Sequence, residues 1–290
     1  MSDALMPEKK SRRHHFIPRA ILKRFASPQQ QVHYLEKGNG PESVELRNIR
    51  SIFWERHYYS TVNFDGVYDD VVEKRYFAKV DNLIGLAVDE VEKDIASHKV
   101  PELAEDLVVF LRKFIIMYSK RTPDAISSAA LIDDPRRLVQ EQLDNLPERF
   151  GFLTEERRRL LLDDASVERI VRFARVGMQA KMSPLLDEAM SRLKIVFAVS
   201  DARKTFAIGS NPVLRLENKI GATLGDGVEL WTPIASGIYL GFVDVLSKID
   251  SVVIFRDPVV RKLNVLQFKQ SSAIASRSRE LLASLARIRR

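Results

Sequence analysis

The chain has 290 residues, of which 45% are hydrophobic and 29% are charged, a balance typical of a globular protein that buries a sizeable core. It contains no cysteine, which excludes disulfides, thiolate nucleophiles and cysteine-ligated metal sites. A metal ion would therefore need histidine together with carboxylate or carbonyl ligands. The available imidazoles are those of His14, His15, His33, His57 and His98.

Positive charge is concentrated at the two ends of the chain. Residues 1–24 contain seven Lys or Arg and two acids, and residues 269–290 contain six and one, so each end carries a net charge of +5. The whole chain carries +7, which leaves the part between the ends mildly acidic. Basic ends would suit DNA or RNA as a partner. The alternative is that they keep the protein soluble and complement the dipole of the last helix.

No apolar stretch approaches the roughly 18 residues that a membrane span needs. The basic N-terminal segment also lacks the apolar centre of a secretory signal. We therefore predict no transmembrane segment and a cytoplasmic location. The sequence does not indicate an oligomeric state.

The first predicted elements along the chain are short. Residues 1–12 are predicted to form a disordered basic tail, and Pro18 suits the first turn of a helix because its missing N–H costs nothing there. The alternating residues 32–37 and 43–49 flank the turn sequence Gly-Asn-Gly-Pro and predict a β-hairpin. The aromatic-rich residues 51–60 fit either a short helix or a strand.

The middle of the chain is predicted to be helical. Apolar residues recur every three or four positions over residues 68–98 and 101–120, which is typical of helices with one buried side. Residues 124–163 indicate shorter helical pieces. Residues 166–193 predict a long helix that Ser183-Pro184 kinks.

After residue 194 the character changes to short β-rich runs separated by turn residues, which predict an antiparallel sheet. A final helix is predicted from Asp257 to about residue 288. Segregated helices and strands favour an α+β fold: a predominantly helical middle, a small N-terminal β-hairpin, a C-terminal antiparallel sheet and a closing helix. We expect one domain over residues 13–290, with 13–194 and 195–290 as candidate lobes.

The two adjacent histidines are the first candidate site. His14 and His15 precede Pro18, and Asn48 and His57 follow nine residues apart, a pattern that resembles HNH-type nucleases. In those enzymes a histidine activates water against a phosphodiester and other residues hold one divalent metal ion. Against this, 32 residues separate His15 from Asn48 without a glycine pair.

A structural role is the alternative for the two histidines. Adjacent residues of an extended segment point to opposite sides, so both rings would seldom bind one ion, and one of them should be buried. Asp69 and Glu73 have the i, i+4 spacing of one helical face and could supply a metal carboxylate, or could simply begin a helix. Asn211 could present its amide to a ligand or close a turn.

Several segments together resemble one family. "RRHHFIPRAILKRF" is similar to the N-terminal His-His-aromatic-aliphatic-Pro signature of the DUF4238 proteins, a bacterial family of unknown function. The resemblance continues through "NIRSIFWERHYYS", "VVEKRYF" around Glu73, "FAIGSNPV" and "VRKLNVLQFKQSSAIA", which contains Asn264. Two positions depart from the pattern: Ser210 stands where the family has Asp, and His57 stands where relatives carry a different polar residue.

The resemblance implies that polar residues from separate segments converge. Our first hypothesis is a nucleic-acid-associated, metal-assisted phosphodiesterase in a defence or toxin setting, with one divalent metal ion of unspecified identity as its cofactor. The second is a non-enzymatic binding or scaffold protein in which the same residues are structural. The candidate catalytic residues are His14, His15, Glu73 and Asn211. The candidate nucleic-acid contacts are Arg12, Arg13, Arg19, Lys23 and Arg24.

Overall fold

The computed structural model describes residues 13–63, 66–128, 134–146, 153–180, 183–201, 204–218 and 220–288, the side chains of residues 127, 128 and 180 excepted. Its fold class is α+β, as predicted. The predicted disordered tail, residues 1–12, lies outside the described residues. In the described part, no helix has both the length and the apolar composition that a membrane crossing needs.

The helices occupy mainly the middle and the end of the chain. A single π-helical turn, Glu73–Phe77, leads directly into the longest helix. The helices are α1 (Arg19–Lys23), α2 (Ala78–Ala96), α3 (Glu105–Lys120), α4 (Pro123–Ser128), α5 (Pro135–Asp144), α6 (Glu155–Leu161), α7 (Asp164–Ala180), α8 (Pro184–Ser191), α9 (Asp257–Gln270) and α10 (Arg279–Ala286).

The strands come from both ends of the chain. They are β1 (Arg13–His15), β2 (Gln31–Glu36), β3 (Glu45–Asn48), β4 (Trp54–Arg56), β5 (Thr61–Val62), β6 (Tyr68–Asp69), β7 (Leu193–Ser200), β8 (Ile208–Gly209), β9 (Leu214–Glu217), β10 (Thr223–Leu224), β11 (Gly227–Ala235), β12 (Ile238–Asp244), β13 (Val252–Phe255) and β14 (Ala273–Ser276).

The larger sheet has the strand order β10-β11-β12-β7-β13, and β9 also pairs with β11. Most of its pairs are antiparallel, as predicted, whereas β10 with β11 and β13 with β7 are parallel. A second sheet has the order β3-β2-β14-β8, and β1-β4 and β5-β6 are separate antiparallel pairs. The β2-β3 hairpin is confirmed. It shares its sheet with β14, so the two candidate lobes are joined by backbone hydrogen bonds.

Three predicted helices have different bounds in the structure. The predicted closing helix is interrupted by β14, because the buried residues 273–276 pair with β2 and β8 instead of continuing the helix. The predicted helix 68–98 gives its first two residues to β6 and ends at Ala96. The predicted helix 166–193 is two helices, α7 and α8, and Pro184 begins the second, where a proline fits.

Helix α1 fixes the N-terminal segment against α2. Ile21 and Leu22 are fully buried, and the two helices approach closely where a Cβ on Gly85 would lie 3.3 Å from that of Ala20. The guanidinium of Arg24 crosses the contact, donating to the Gly85 carbonyl at 3.0 Å and to the carboxylates of α2. The segment that carries the two histidines is therefore part of the core.

Candidate functional site

Strand β1 places the two histidines in different environments. It pairs antiparallel with β4, so that His14 lies opposite Glu55 and His15 opposite Trp54. The side chain of His14 is 0% exposed, whereas that of His15 is partly exposed. The prediction that one of the two is buried is confirmed, and the alternation of a strand explains it.

His14 belongs to a sealed polar network. Its Nδ1 accepts a hydrogen bond from the Tyr59 N–H at 3.0 Å, so the ring is neutral and carries its proton on Nε2. That Nε2 lies 3.8 Å from Oδ1 of Asp70. Ser60 donates to the same carboxylate oxygen at 2.5 Å, and Nδ1 of His57 lies 3.3 Å from the Ser60 hydroxyl. We call His14, His57, Ser60 and Asp70 the histidine cluster.

A second network surrounds Arg121, whose side chain is 0% exposed. Its guanidinium donates to Oδ1 of Asp81 at 2.6 Å, to the Tyr59 hydroxyl at 2.6 Å and to the His15 carbonyl at 2.9 Å. It also lies 4.7 Å above the ring centre of Phe77. We call Arg121, Tyr59 and Asp81 the arginine cluster. It links β1 to the start of α2 and the end of α3.

Glu73 and His15 lie within the electrostatic reach of Arg121. Burial raises the pKa of the Glu73 carboxyl to about 7, with Arg121 opposing this rise and Asp81 adding to it. Burial lowers the pKa of the His15 imidazole to about 4, and Arg19 acts in the same direction. Oε2 of Glu73 and Nε2 of His15 are buried without a hydrogen-bond partner. Glu73 begins the π-helical turn, a feature frequent at functional sites.

Asn211, the fourth candidate catalytic residue, lies in a different part of the fold. Its backbone carbonyl accepts from Gln267 at 2.5 Å and from Gln270 at 2.6 Å, so its hydrogen bonds run to α9 and not to the histidines. The neighbouring Ser210, where the resemblance leads us to expect an Asp, donates to the carboxylate of Asp124. An acid is therefore present at this place, although it comes from α4.

The candidate nucleic-acid contacts have different surroundings. Arg12 lies outside the described residues. The side chain of Arg24 is only 10% exposed and is bonded to Asp89 and Glu92, which leaves it little access to a phosphate. The guanidinium of Arg13 lies 4.5 Å above the ring centre of Trp54. Arg19 and Lys23 extend from α1, and Lys23 is exposed.

The residues considered for metal binding do not converge. Across the described ranges, no three histidine or carboxylate side chains are arranged to hold a metal ion. Asp69 lies in β6 and accepts from the Val71 N–H at 2.9 Å. Asn48 accepts from the Arg50 N–H at 3.0 Å and so caps a turn, whereas His57 belongs to the histidine cluster. In the part of the chain that the structure describes, these residues do not form a site that fits a bound metal ion.

A large pocket adjoins the histidine cluster. It has a volume of about 670 Å³ and lies between α3, α4, α5 and α7. Three side chains of α7 separate it from the cluster: Arg172 donates to the His57 carbonyl at 3.2 Å, Arg175 to the Tyr58 carbonyl at 3.1 Å, and Gln179 to the Tyr58 hydroxyl at 3.3 Å. Its lining is mainly apolar and includes Ile126, Leu138, Val167, Val171, Ala174 and Met178.

A known family matches most of the chain. The family DUF4238, described as a protein of unknown function, matches residues 13–280, nearly the whole chain. The chain belongs to this family. No curated protein and no solved structure matches it. In this DUF4238 protein the matched region begins at β1, the strand that carries both histidines.

Sequence reasoning missed Arg121 and the pocket. Arg121 follows an apolar helix and precedes Thr-Pro, which gives no indication that its guanidinium is buried. Its partner Asp81 is 40 residues away, so no local spacing joins them. Asp70 directly follows Asp69 and precedes Glu73 by three residues, but its burial could not be read from that pattern.

Proposed function

We propose that this chain is a non-enzymatic binding protein, in which the double histidine is part of the structural core. The observation that carries the proposal is the environment of His14. The ring is 0% exposed, and its Nδ1 is occupied by the Tyr59 N–H. A general base needs a nitrogen that a substrate or its water can reach, and this ring has none.

The arginine cluster supports the same role. Arg121 holds the carbonyl of His15 and the hydroxyl of Tyr59, so it fixes β1 against α2 and α3. Buried polar networks with several charge-assisted hydrogen bonds fix the relative position of elements. Arg172 and Arg175 of the pocket wall donate to the carbonyls of His57 and Tyr58, and the next residue, Tyr59, donates its N–H to His14. The histidine strand is thus connected to the pocket wall through residues 57–59.

The test combines a cleavage assay with a stability measurement. Purified protein should leave DNA and RNA intact with Mg²⁺, Mn²⁺ or Zn²⁺, and His14→Ala should lower the free energy of unfolding by about 1–3 kcal/mol, the cost of leaving a buried donor unpaired. Cleavage that His14→Ala abolishes without any change in stability would contradict the proposal.

A second candidate is an acid–base enzyme that acts on phosphodiesters, as the first hypothesis expected. It is favoured by the opposite pKa shifts of His15 and Glu73. With a pKa of about 4 the imidazole is a neutral base, and with a pKa of about 7 the carboxyl is a proton donor. Arg19 would supply positive charge for a phosphate. Because the partnerless atoms are buried, this candidate requires the turn at Glu73–Phe77 to open.

Glu73→Gln and His15→Asn distinguish the two candidates. If the chain is an acid–base enzyme, each variant abolishes cleavage of a labelled RNA or DNA while the protein remains folded. If the chain only binds, neither the wild-type protein nor the variants cleave. Nucleic acid as a partner is tested separately by the salt dependence of binding to random oligonucleotides.

A further inference from the structure

The pocket beside the histidine cluster has the size and composition of a ligand site. Its volume of about 670 Å³ falls within the range of small-molecule pockets. Apolar side chains from α4, α5 and α7 form most of its wall, so a hydrocarbon group would be buried there. An apolar ligand alone, however, would leave the charged lining residues without a role.

The charges of the lining favour a negative group. Lys120, Arg172 and Arg175 line the pocket together with Asp164 and Glu168. Arg172 pairs with Glu168 at 3.3 Å. Among the described residues, neither Lys120 nor Arg175 has a carboxylate within ion-pair distance. Arg175 interacts with the carboxylate of Glu55 only over a longer distance, so within the described ranges the pocket holds two cationic groups without a close ion pair.

Partnerless polar atoms occur in the same wall. Nε of Arg172, Nε of Arg175 and Oε1 of Gln179 are all buried without a hydrogen-bond partner, and Gln179 is only 2% exposed. Buried polar atoms in folded proteins nearly always have a partner, which can be a ligand or a water molecule. An acceptor-bearing anion would suit the two guanidinium groups, and an O–H or N–H donor would suit Gln179.

We infer that this pocket binds an amphipathic carboxylate, with its hydrocarbon part against the apolar wall and its carboxylate at Lys120 and Arg175. This inference rests on the proposed function and names the class of its ligand. Arg175 also holds the Tyr58 carbonyl, so an occupied pocket stabilises the segment next to the histidine cluster.

The experiment measures binding of dodecanoate to the full chain by calorimetry, below the critical micelle concentration, together with the shift in melting temperature. Dodecyltrimethylammonium has the same tail and the opposite charge, and acetate has the head without the tail. We expect dodecanoate to bind and to raise the melting temperature. Both comparison compounds should bind at least about tenfold more weakly.

Variants locate the site. Lys120→Gln and Arg175→Gln should each weaken dodecanoate binding by about tenfold, the loss of one charge-assisted contact. Lys120→Arg should retain binding. Ala174→Trp should abolish it by filling the pocket, whereas Ala165→Trp, an exposed alanine on the same helix outside the lining, should bind like the wild-type protein. Urea unfolding verifies that each variant is folded.

Equal affinity for the cationic amphiphile, normal binding by Ala174→Trp, or no binding of dodecanoate by the wild-type protein would each overturn the inference. The proposed function fails on different evidence. Cleavage of nucleic acid that depends on His15 and Glu73 would contradict it, whatever the result with dodecanoate.

Discussion

The histidine cluster and the pocket are neighbours that share α7, yet their polar groups are arranged differently. In the cluster, His14 and Ser60 are buried and bonded to groups of the protein itself, while Oδ2 of Asp70 is buried without a hydrogen-bond partner. In the pocket, Lys120 and Arg175 have no carboxylate within ion-pair distance in the described residues, and the surrounding wall is mainly apolar. Satisfied buried polar groups fix a fold, whereas unpaired ones beside a cavity indicate binding.

The largest expected effect concerns Arg121. Arg121→Gln should lower the free energy of unfolding by about 3–5 kcal/mol, because it removes the ion pair with the partly buried Asp81 and the hydrogen bond to the hydroxyl of the buried Tyr59. Arg192→Gln is the matched control, since the Arg192 side chain is 61% exposed and pairs with the exposed Glu188. It should cost less than about 1 kcal/mol. Equal losses in urea unfolding would show that Arg121 does not support the core.

The next effect separates His14 from an exposed histidine. His14→Ala should cost about 1–3 kcal/mol because the Tyr59 N–H loses its acceptor. His14→Asn should recover part of this loss, since its amide oxygen can accept from the same N–H. His98→Asn, at an exposed position where the left-handed backbone tolerates Asn, should change little. Similar stabilities for all three variants would show that the hydrogen bond of His14 does not stabilise the core.

The pH dependence of stability sharpens the comparison between Glu73 and His15. Because the folded pKa of Glu73 is about 7, above its ordinary 4.5, its contribution to stability increases as the pH falls through 7. Because the folded pKa of His15 is about 4, below its ordinary 6.5, its contribution decreases as the pH falls below 6.5. The two contributions oppose each other.

Single variants reveal each contribution. On acidification from about pH 7 to pH 5, Glu73→Gln should lose about 1–2 kcal/mol relative to the wild-type protein, and His15→Asn should gain a similar amount. Urea unfolding at both pH values measures this difference. Parallel pH profiles for the wild-type protein and both variants would show that neither group titrates with a shifted pKa.

The smallest effect is expected at Asn211. Asn211→Ala should change stability by less than about 0.5 kcal/mol, because the backbone of Asn211 makes its hydrogen bonds to α9. Asn264→Ala is the contrasting variant: that side chain accepts from the Ala207 N–H at 2.8 Å and donates to the Thr205 carbonyl at 3.0 Å. It should cost about 1–3 kcal/mol in thermal or urea unfolding. A larger loss of stability for Asn211→Ala than for Asn264→Ala would show that the side-chain amide of Asn211 is the one that supports the fold.

The features that sequence predicts here are those with a local signal. The α+β class, the hairpin over residues 31–48 and the burial of one of two adjacent histidines follow from periodicity and turn residues. The strand at residues 273–276 has no comparable signal, because its apolar residues also continue the helical pattern before it. Its pairing with β2, far away in sequence, decides its conformation.

The candidate site was predictable only in part, for the same reason. The segment signatures singled out His15 and Glu73, both of which lie near Arg121. They did not single out Arg121, whose burial depends on a partner in another helix, or the pocket, whose wall comes from four helices. Asn211 was grouped with the histidines by resemblance, but the fold holds it against α9.

The reactivity of His14 toward diethyl pyrocarbonate tests the central claim most directly. The reagent modifies neutral imidazole nitrogens that it can reach, and peptide fragmentation by mass spectrometry reports each histidine separately. The sealed environment of His14 predicts that it reacts only when the protein is unfolded in urea, while the exposed His98 reacts in the native state. Modification of His14 at the rate of His98 in native protein would contradict a structural role for the double-histidine strand.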